Sequence, residues 1–348
     1  MKLKSRAILV AAIFVGLVVG CSSVSDLADQ DLTELSPEDA AAQLQDEAQE
    51  RVEDEIDDRT DGLQTEAKLR ALVEAPHRGD GNSDRDEYRN PVDTLTFFGI
   101  SPDYRVVELL PGTGWYTELL APLVTRDGAY VAGAPHIAED ADEDDYQAQI
   151  AAQYMELLEM NAEVLGDISV ATFSPGNKID LGEAGSADMV VTFRNLHGLY
   201  NNETLDEALA AVNEVLAPGG VFGVVQHRAP EGSDPAETSP KGYLPQDFVI
   251  ETIEAAGFVL EETSEVNANP MDTADHEDGV WALPPSLRGG EETAEQFLEI
   301  GESDRMTLRF VKPEAADVAA DADADAAADA DADADAEESE AESAETVQ

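Results

Sequence analysis

The stretch Arg105–Val124, RVVELLPGTGWYTELLAPLV, decides how this chain is read. An apolar, β-branched run at Val106 and Val107 leads to an acidic residue, Glu108. Pro111, Gly112 and Gly114 then form a Pro-Gly-x-Gly turn, and apolar residues at helical spacing follow at Trp115, Leu119, Leu120 and Leu123. Strand, glycine turn and helix in this order present backbone N–H groups at a helix N-terminus to a ligand. Glycine suits such a turn because it adopts unusual φ and lets the backbone approach closely. Glu108, at the strand end, is a candidate acceptor beside that ligand. A tight βα turn without any ligand is the alternative for the same residues.

Outward from the turn, strand and helix patterns alternate. Ala129–Ala134 reads as a strand, residues 146–164 as a long helix, and Ile168–Phe173 as a third strand. Ala187–Phe193 is near-continuously apolar, as buried parallel strands are. Leu205–Leu216 is an amphipathic helix stopped by Ala-Pro-Gly-Gly, and Val221–Gln226 is a fifth strand. A helix at Gln246–Ala256, a sixth strand at Phe258–Val266 and a seventh at Met306–Val311 complete the pattern. The alternation predicts an α/β fold, a seven-stranded, doubly wound, mostly parallel sheet with helices on both faces. Ligands of such sheets lie beyond the carboxyl ends of the strands, at the switch point beside the first one.

The flanks read differently. Residues 1–21 carry a positive n-region (Lys2, Lys4, Arg6), an apolar run from Ala7 to Val19 and the sequence Val18-Val19-Gly20-Cys21, which together read as a lipoprotein signal peptide. Cys21 is the single cysteine of the chain, so no intramolecular disulfide or cysteine-based metal site forms, and its expected role is lipidation. Ser22 after it points by resemblance to other lipoproteins towards the periplasmic face of the outer membrane, with the lipid anchor as the only membrane contact. Residues 22–70 read as an acidic tether, 71–313 as the folded domain, and 314–348 as a disordered Ala/Asp/Glu tail. With 76 acidic and 20 basic residues, the chain repels nucleic-acid phosphates, so no nucleic-acid partner is expected. His136, Asp140, Asp272, Asp275 and His276 match no metal-ligand spacing, and no metal is expected.

Several separated motifs carry a resemblance over about residues 75–313. VVELLPGTGWYTELLAPL, ADMVVTFRNLHGL, a PGG turn leading to VVQHR, AAGF, NANPMD, GVWALPPS and GESDRMTLRFVKP together resemble the predicted class I S-adenosylmethionine-dependent methyltransferases of bacteria. The resemblance implies a Rossmann-like methyltransferase fold, a seven-stranded sheet with a reversed final hairpin, and S-adenosylmethionine as cofactor. Carried over residue by residue, Glu108, Gly112 and Gly114 match the first cofactor motif. Trp115, Asp180, Phe193 and Asn195 are further cofactor-binding candidates. Two positions depart from the pattern. Leu110 stands where a first glycine usually sits, and Ala134 stands where the second strand usually ends in the acid that holds the ribose, with Glu139 or Asp140 as substitutes only if the loop folds back.

Methyl transfer chiefly demands alignment of an acceptor with the cofactor's methyl carbon, and an acceptor hydroxyl or amine also needs a base. Residues just past the fourth and fifth strands face that position. His197 and His227 are the candidate bases, and Arg194 or Arg228 the candidates for holding an anionic group. The alternative is that both arginines pair with carboxylates and both histidines are structural. Tyr243, the NANPMD loop and the GVWALPPS loop are left open between cleft wall and domain closure. The leading expectation is a methyltransferase acting on a small-molecule or envelope-associated acceptor. A non-catalytic lipoprotein scaffold that keeps the fold is the second, favoured by Ala134. A nicotinamide oxidoreductase is the third, disfavoured by Thr117 at the third glycine position.

Overall fold

The computed structural model describes residues 64–79, 81–137 and 145–314. The leader with Cys21, most of the tether, Glu139, Asp140 and the tail beyond Glu314 lie outside the described residues.

Eight strands form one mixed sheet: β1 Arg105–Leu109, β2 Ala129–Ala134, β3 Ile168–Ser174, β4 Lys178–Asp180, β5 Ala187–Phe193, β6 Leu216–His227, β7 Val259–Ser264 and β8 Arg305–Val311. Their order across the sheet is β4-β3-β2-β1-β5-β6-β8-β7. The five strands β3, β2, β1, β5 and β6 are parallel, whereas β8 runs antiparallel to both β6 and β7. The expected count of seven is therefore corrected to eight. The extra strand, β4, is three residues folded back on Thr172–Ser174. Without it the order is that of a doubly wound sheet whose last strand is inserted in reverse, a Rossmann-like arrangement.

The helices are α1 Thr65–Val73, α2 Pro91–Phe98, α3 Thr117–Val124, α4 Tyr146–Met160, α5 Leu196–Asn201, α6 Leu205–Val215, α7 Gln246–Ala255 and α8 Glu291–Ile300. Successive side chains of a strand point to opposite faces, and β1 shows the consequence. Val106 joins a core with Leu69, Leu95, Phe98, Leu119 and Leu120 on one face. Val107 joins another with Leu209, Val212, Val249, Ile253 and Phe310 on the other. Burial on both faces is why the strands at the centre of the sheet carry such continuous apolar runs.

Two expected boundaries shift. Residue 70 falls inside α1, whose Leu69 and Leu72 are buried in the first core, so the packed body extends at least to Thr65. The helix expected over 146–164 breaks at Asn161, which leaves helical geometry at φ −118° before a single turn at Ala162–Leu165. β6, expected as a fifth strand from Val221, also opens earlier, at Leu216. Its partners jump from Ala187↔Leu216 to Met189↔Val221, so the Pro218-Gly219-Gly220 turn loops out of the ladder.

The parallel strands all end on one edge of the sheet. The chain leaves β1 towards β2 on one side, and β5 pairs on the other. That divergence opens a crevice at the carboxyl ends.

Candidate functional site

A cavity of about 880 Å³ occupies the crevice, within the size range of small-molecule sites, about 300–1,000 Å³. One side is formed by the glycine turn after β1, Ala134–Ile137 after β2, and the inner face of α4. The other is formed by Phe193–His197 after β5, by His227 at the end of β6, and by Trp281. Of the residues singled out in the sequence, Glu108, Gly112, Trp115, Phe193, Arg194, Asn195, His197 and His227 all border this one cavity. Asp180 does not: it sits exposed in β4, on the hairpin at the sheet edge. Gly114 does not border it either and has a packing role instead.

The turn's glycines serve different ends. Gly112 adopts φ +63°, and a Cβ built there meets no atom within 4 Å, so the chain offers open space at that point of the cavity wall. Gly114 adopts φ +90°, and a Cβ there lies 2.2 Å from Leu157 Cδ2 and 3.3 Å from the Tyr154 ring, because α4 packs directly over it. Leu110, at the position where a glycine was the expected residue, takes φ +50°. The turn thus keeps the left-handed backbone without glycine, at a cost of about 1–2 kcal/mol.

Glu108 is buried at the end of β1. It accepts a hydrogen bond from Thr117 Oγ1 at 3.1 Å and another from the Tyr130 hydroxyl. Its carboxyl is pushed up to about 7 by burial, against the opposing influence of those two hydrogen bonds and of Arg194. A carboxyl so placed borders the cavity and is oriented by the protein's own hydrogen bonds from Thr117 and Tyr130. An unfolded Glu ionises near its ordinary value of 4.5, so the folded state binds one proton more between that value and about 7. Stability from this group therefore falls as pH rises through the window, by up to about 3 kcal/mol. Glu108→Gln is expected to gain stability relative to wild type by that order between pH 4.5 and 7.5. Urea midpoints at the two pH values check it, and a difference independent of pH would show that Glu108 does not titrate there.

The side chains beyond β5 and β6 form the polar end of the cavity. Arg194 leaves β5 at φ +66°, its N–H bonded to Val225 O at 2.7 Å. Among the described residues its guanidinium makes no ion pair, and Nη1 is buried without a hydrogen-bond partner. Burial lowers its pKa to about 10. His197 and His227 lie with ring centroids 5.8 Å apart. Burial, opposed by a hydrogen bond from Gln226 and helped by the charge of Arg194, holds His197 at about 4. His227 is pushed well down by burial, with His197 and the surrounding arginines adding to it. Both imidazoles are therefore neutral at physiological pH.

Their hydrogen bonds separate the two roles. Gln226 Oε1 accepts from the Leu196 N–H at 3.2 Å, which fixes the amide and turns Nε2 towards His197 Nδ1 at 3.3 Å. An amide N–H donates there, so His197 carries its proton on Nε2 and presents a donor to the cavity. His227 Nδ1 lies 2.6 Å from Ser303 Oγ. A hydroxyl either gives or takes this bond, so His227 is the imidazole that can leave Nε2 free as a proton acceptor.

Other candidates are held by contacts within the protein, Asn195, Phe193 and Trp115 among them while bordering the cavity. The Asn195 amide donates to Leu109 O at 3.0 Å and Thr192 Oγ1 at 3.2 Å, tying β5 to the end of β1. Phe193 stacks on Tyr116, centroids 3.5 Å apart and planes within 8°. Trp115 donates its indole N–H to Asn82 O, and the Arg89 guanidinium lies 4.5 Å from its ring centroid. Arg228, expected to face the acceptor, instead pairs with Glu265 at 2.7 Å and Asp304 at 2.9 Å. Tyr243 is buried with its hydroxyl on Asp272. The NANPMD loop closes the domain: Asn269 Nδ2 donates to Ile300 O and Glu302 O. The GVWALPPS loop supplies cavity wall through Val280, Trp281, Pro284 and Pro285.

Sequence reading missed Arg85, Arg89, Glu302 and Ser303, which complete the polar end. Arg85 and Arg89 precede the first strand by sixteen residues or more, and only the GESDR motif signalled the other two.

No protein-family model matches the chain, and a search of the curated proteins finds no match. Solved structures similar to it include a SAM-dependent methyltransferase from Aquifex aeolicus, at 18% identity over 58% of this chain and 93% of that one, with a TM-score of 0.42. Phosphoethanolamine N-methyltransferase 2 of Haemonchus contortus, in complex with S-adenosyl-L-methionine, matches at 14% identity over 76% and 60%, with a TM-score of 0.45. The [4+2]-cyclase SpnF matches at 16% identity over 65% and 81%, with a TM-score of 0.43. The functional reading rests on the cavity itself.

Proposed function

We propose that the protein is an S-adenosylmethionine-dependent methyltransferase acting on a small or envelope-associated acceptor. The observation that carries this reading is the cavity at the switch point, with Gly112 at positive φ facing open space at the first βα turn. The sequence resemblance and the reversed last strand of the sheet support it. The cofactor would lie along the turn at Pro111–Thr113 and between Ala134 and α4. When bound, it supplies an electrophilic methyl group. Among the described residues no carboxylate stands at Ala134, so Ile137, Tyr146 and Val170, which line this part of the cavity, would have to hold the adenosyl end by shape and apolar contact.

The chain's own residues provide the rest. Arg194 orients the acceptor, the Nε2–H of His197 donates to it, and His227, steadied by Ser303, takes the proton that an acceptor hydroxyl or amine releases. The expected lipid anchor at Cys21 would place this chemistry at the cell envelope. A second reading, a scaffold that no longer binds the cofactor, is favoured by Ala134 and by the engagement of Glu108 with Tyr130 and Thr117.

Calorimetric titration of the purified protein with S-adenosylmethionine and S-adenosylhomocysteine separates the two. Saturable binding of both is the expected result. Absence of heat at about 1 mM ligand, weaker than about −4 kcal/mol, leaves the scaffold.

A further inference from the structure

Arg85, Arg89 and Arg194 border the polar end of the cavity with Arg305 behind them, and three of these four arginines share one carboxylate. Arg85, Arg89 and Arg305 reach Glu302 at 2.7, 3.3 and 3.0 Å. Among the described residues Glu302 is the acidic partner of all three, and none of them has another. Burial opposes ionisation of Glu302, yet these arginines, with Arg194, hold its carboxyl down at about 2, so it is fully charged and fully committed. Among the described residues Arg194 has no ion-pair partner, and its Nη1 is buried with no acceptor.

The surroundings make this arrangement costly unless something completes it. A guanidinium N–H withdrawn from water without an acceptor loses its hydration and gains nothing in return. A surplus of buried cations also repels itself. The chain elsewhere is strongly acidic, at net −56, and has abundant carboxylates with which to neutralise a structural arginine. Arg228, at the matching position after β6, shows that outcome with Glu265 and Asp304. Arg194 is left facing the cavity, its backbone fixed at φ +66° beside the stacked Phe193 and Tyr116. Guanidinium groups recognise carboxylate and phosphate through paired N–H donors.

We infer that the cavity's own ligand, the methyl acceptor on the reading above, carries a carboxylate or phosphate group that Arg194 receives, with the Arg85–Arg89–Arg305 surplus drawing it in. The inference rests on the methyltransferase reading for the word acceptor, and on the cavity alone for the anion. One other carboxylate shares this chemistry, that of the cofactor's amino-acid end, and the experiment separates the two.

Both tryptophans of the chain, Trp115 and Trp281, border the cavity, so intrinsic fluorescence reports on it directly. Inorganic phosphate and acetate are titrated into the full chain at constant ionic strength, with and without saturating S-adenosylhomocysteine. Wild type is expected to give a saturable change in both conditions. Arg194→Gln is expected to weaken phosphate at least about tenfold while S-adenosylhomocysteine affinity stays within about twofold, a tenfold loss being about 1.4 kcal/mol. Arg194→Asn, whose side chain tolerates positive φ, is the second variant should glutamine impair folding, and the same loss is expected of it.

Phosphate affinity unchanged in a folded variant overturns the inference. So does a tenfold loss of S-adenosylhomocysteine affinity together with competition between it and phosphate, which assigns Arg194 to the cofactor's carboxylate. Phosphate binding that depends on Arg194 in a protein that binds no S-adenosylhomocysteine supports the anion site and overturns the methyltransferase reading instead.

Discussion

Alanine at Gly114 is expected to destabilise the protein by about 2–4 kcal/mol, whereas valine at Gly112 removes cofactor binding at a smaller cost in stability. The two glycines lie two residues apart in one turn and both hold positive φ, so each substitution carries backbone strain of about 1–2 kcal/mol. They differ in what a side chain meets. At Gly114 a Cβ overlaps Leu157 Cδ2 and presses on the Tyr154 ring, the one buried side chain of α4. Leu157 can swing its end aside, but α4 then rides outward and Tyr154 loses its seat beside Thr117, which is the overpacking penalty. At Gly112 an added Cβ meets nothing within 4 Å, on the stretch of cavity wall where the proposed cofactor would lie. Gly112→Val should therefore fold, melt only slightly early, and weaken S-adenosylhomocysteine at least about a hundredfold, close to 2.7 kcal/mol. Urea unfolding and calorimetric titration of both variants check the pair. Equal stability losses with binding retained in Gly112→Val would mean that the turn is a structural βα connection and nothing more.

Glu302→Gln is the other substitution with a large expected effect. It removes the single carboxylate shared by Arg85, Arg89 and Arg305, leaving buried guanidinium groups uncompensated. Breaking a buried pair from one side typically costs about 3–5 kcal/mol, and the lower part of that range applies because Arg85 keeps part of its surface in water. The pH dependence has a definite sign. The folded carboxyl lies at about 2 against an ordinary 4.5, so its stabilisation is complete above 4.5 and is lost as pH falls through 2. The variant should be less stable than wild type at pH 7 and should approach it near pH 2. Guanidinium-chloride midpoints at both values measure this. A deficit that persists undiminished at low pH would assign the loss to packing instead of charge.

Much of the frame was legible because it depends on local pattern. The short apolar runs at 129–134 and 187–193 are of the kind that central parallel strands, buried on both faces, carry, and their limits match the structure residue for residue. Three features were not legible, each for a physical reason. β4 is three residues long and mostly exposed, so no apolar alternation marks it. α1 sits in an acidic stretch, and only Leu69 and Leu72 betray its buried face. The arginine cluster joins residues more than two hundred positions apart, and no periodicity links Arg85 to Glu302. Arg194 and Arg228 are the most instructive pair. Both follow the end of a strand and look alike in sequence; what separates them is that Glu265 and Asp304 lie within reach of one, while among the described residues no carboxylate pairs with the other.

Because Arg85 and Arg89 come from the start of the packed body and Glu302 and Ser303 from its end, the recess is assembled from opposite extremes of the chain. The first βα units are built from near neighbours in sequence, whereas the guanidinium cluster is neutralised only by a pairing across more than two hundred residues, which closes a long loop and is entropically late. Forms truncated before residue 302 would thus keep the parallel strands but lose β8, with β7 left unjoined and Arg85 and Arg89 without their carboxylate.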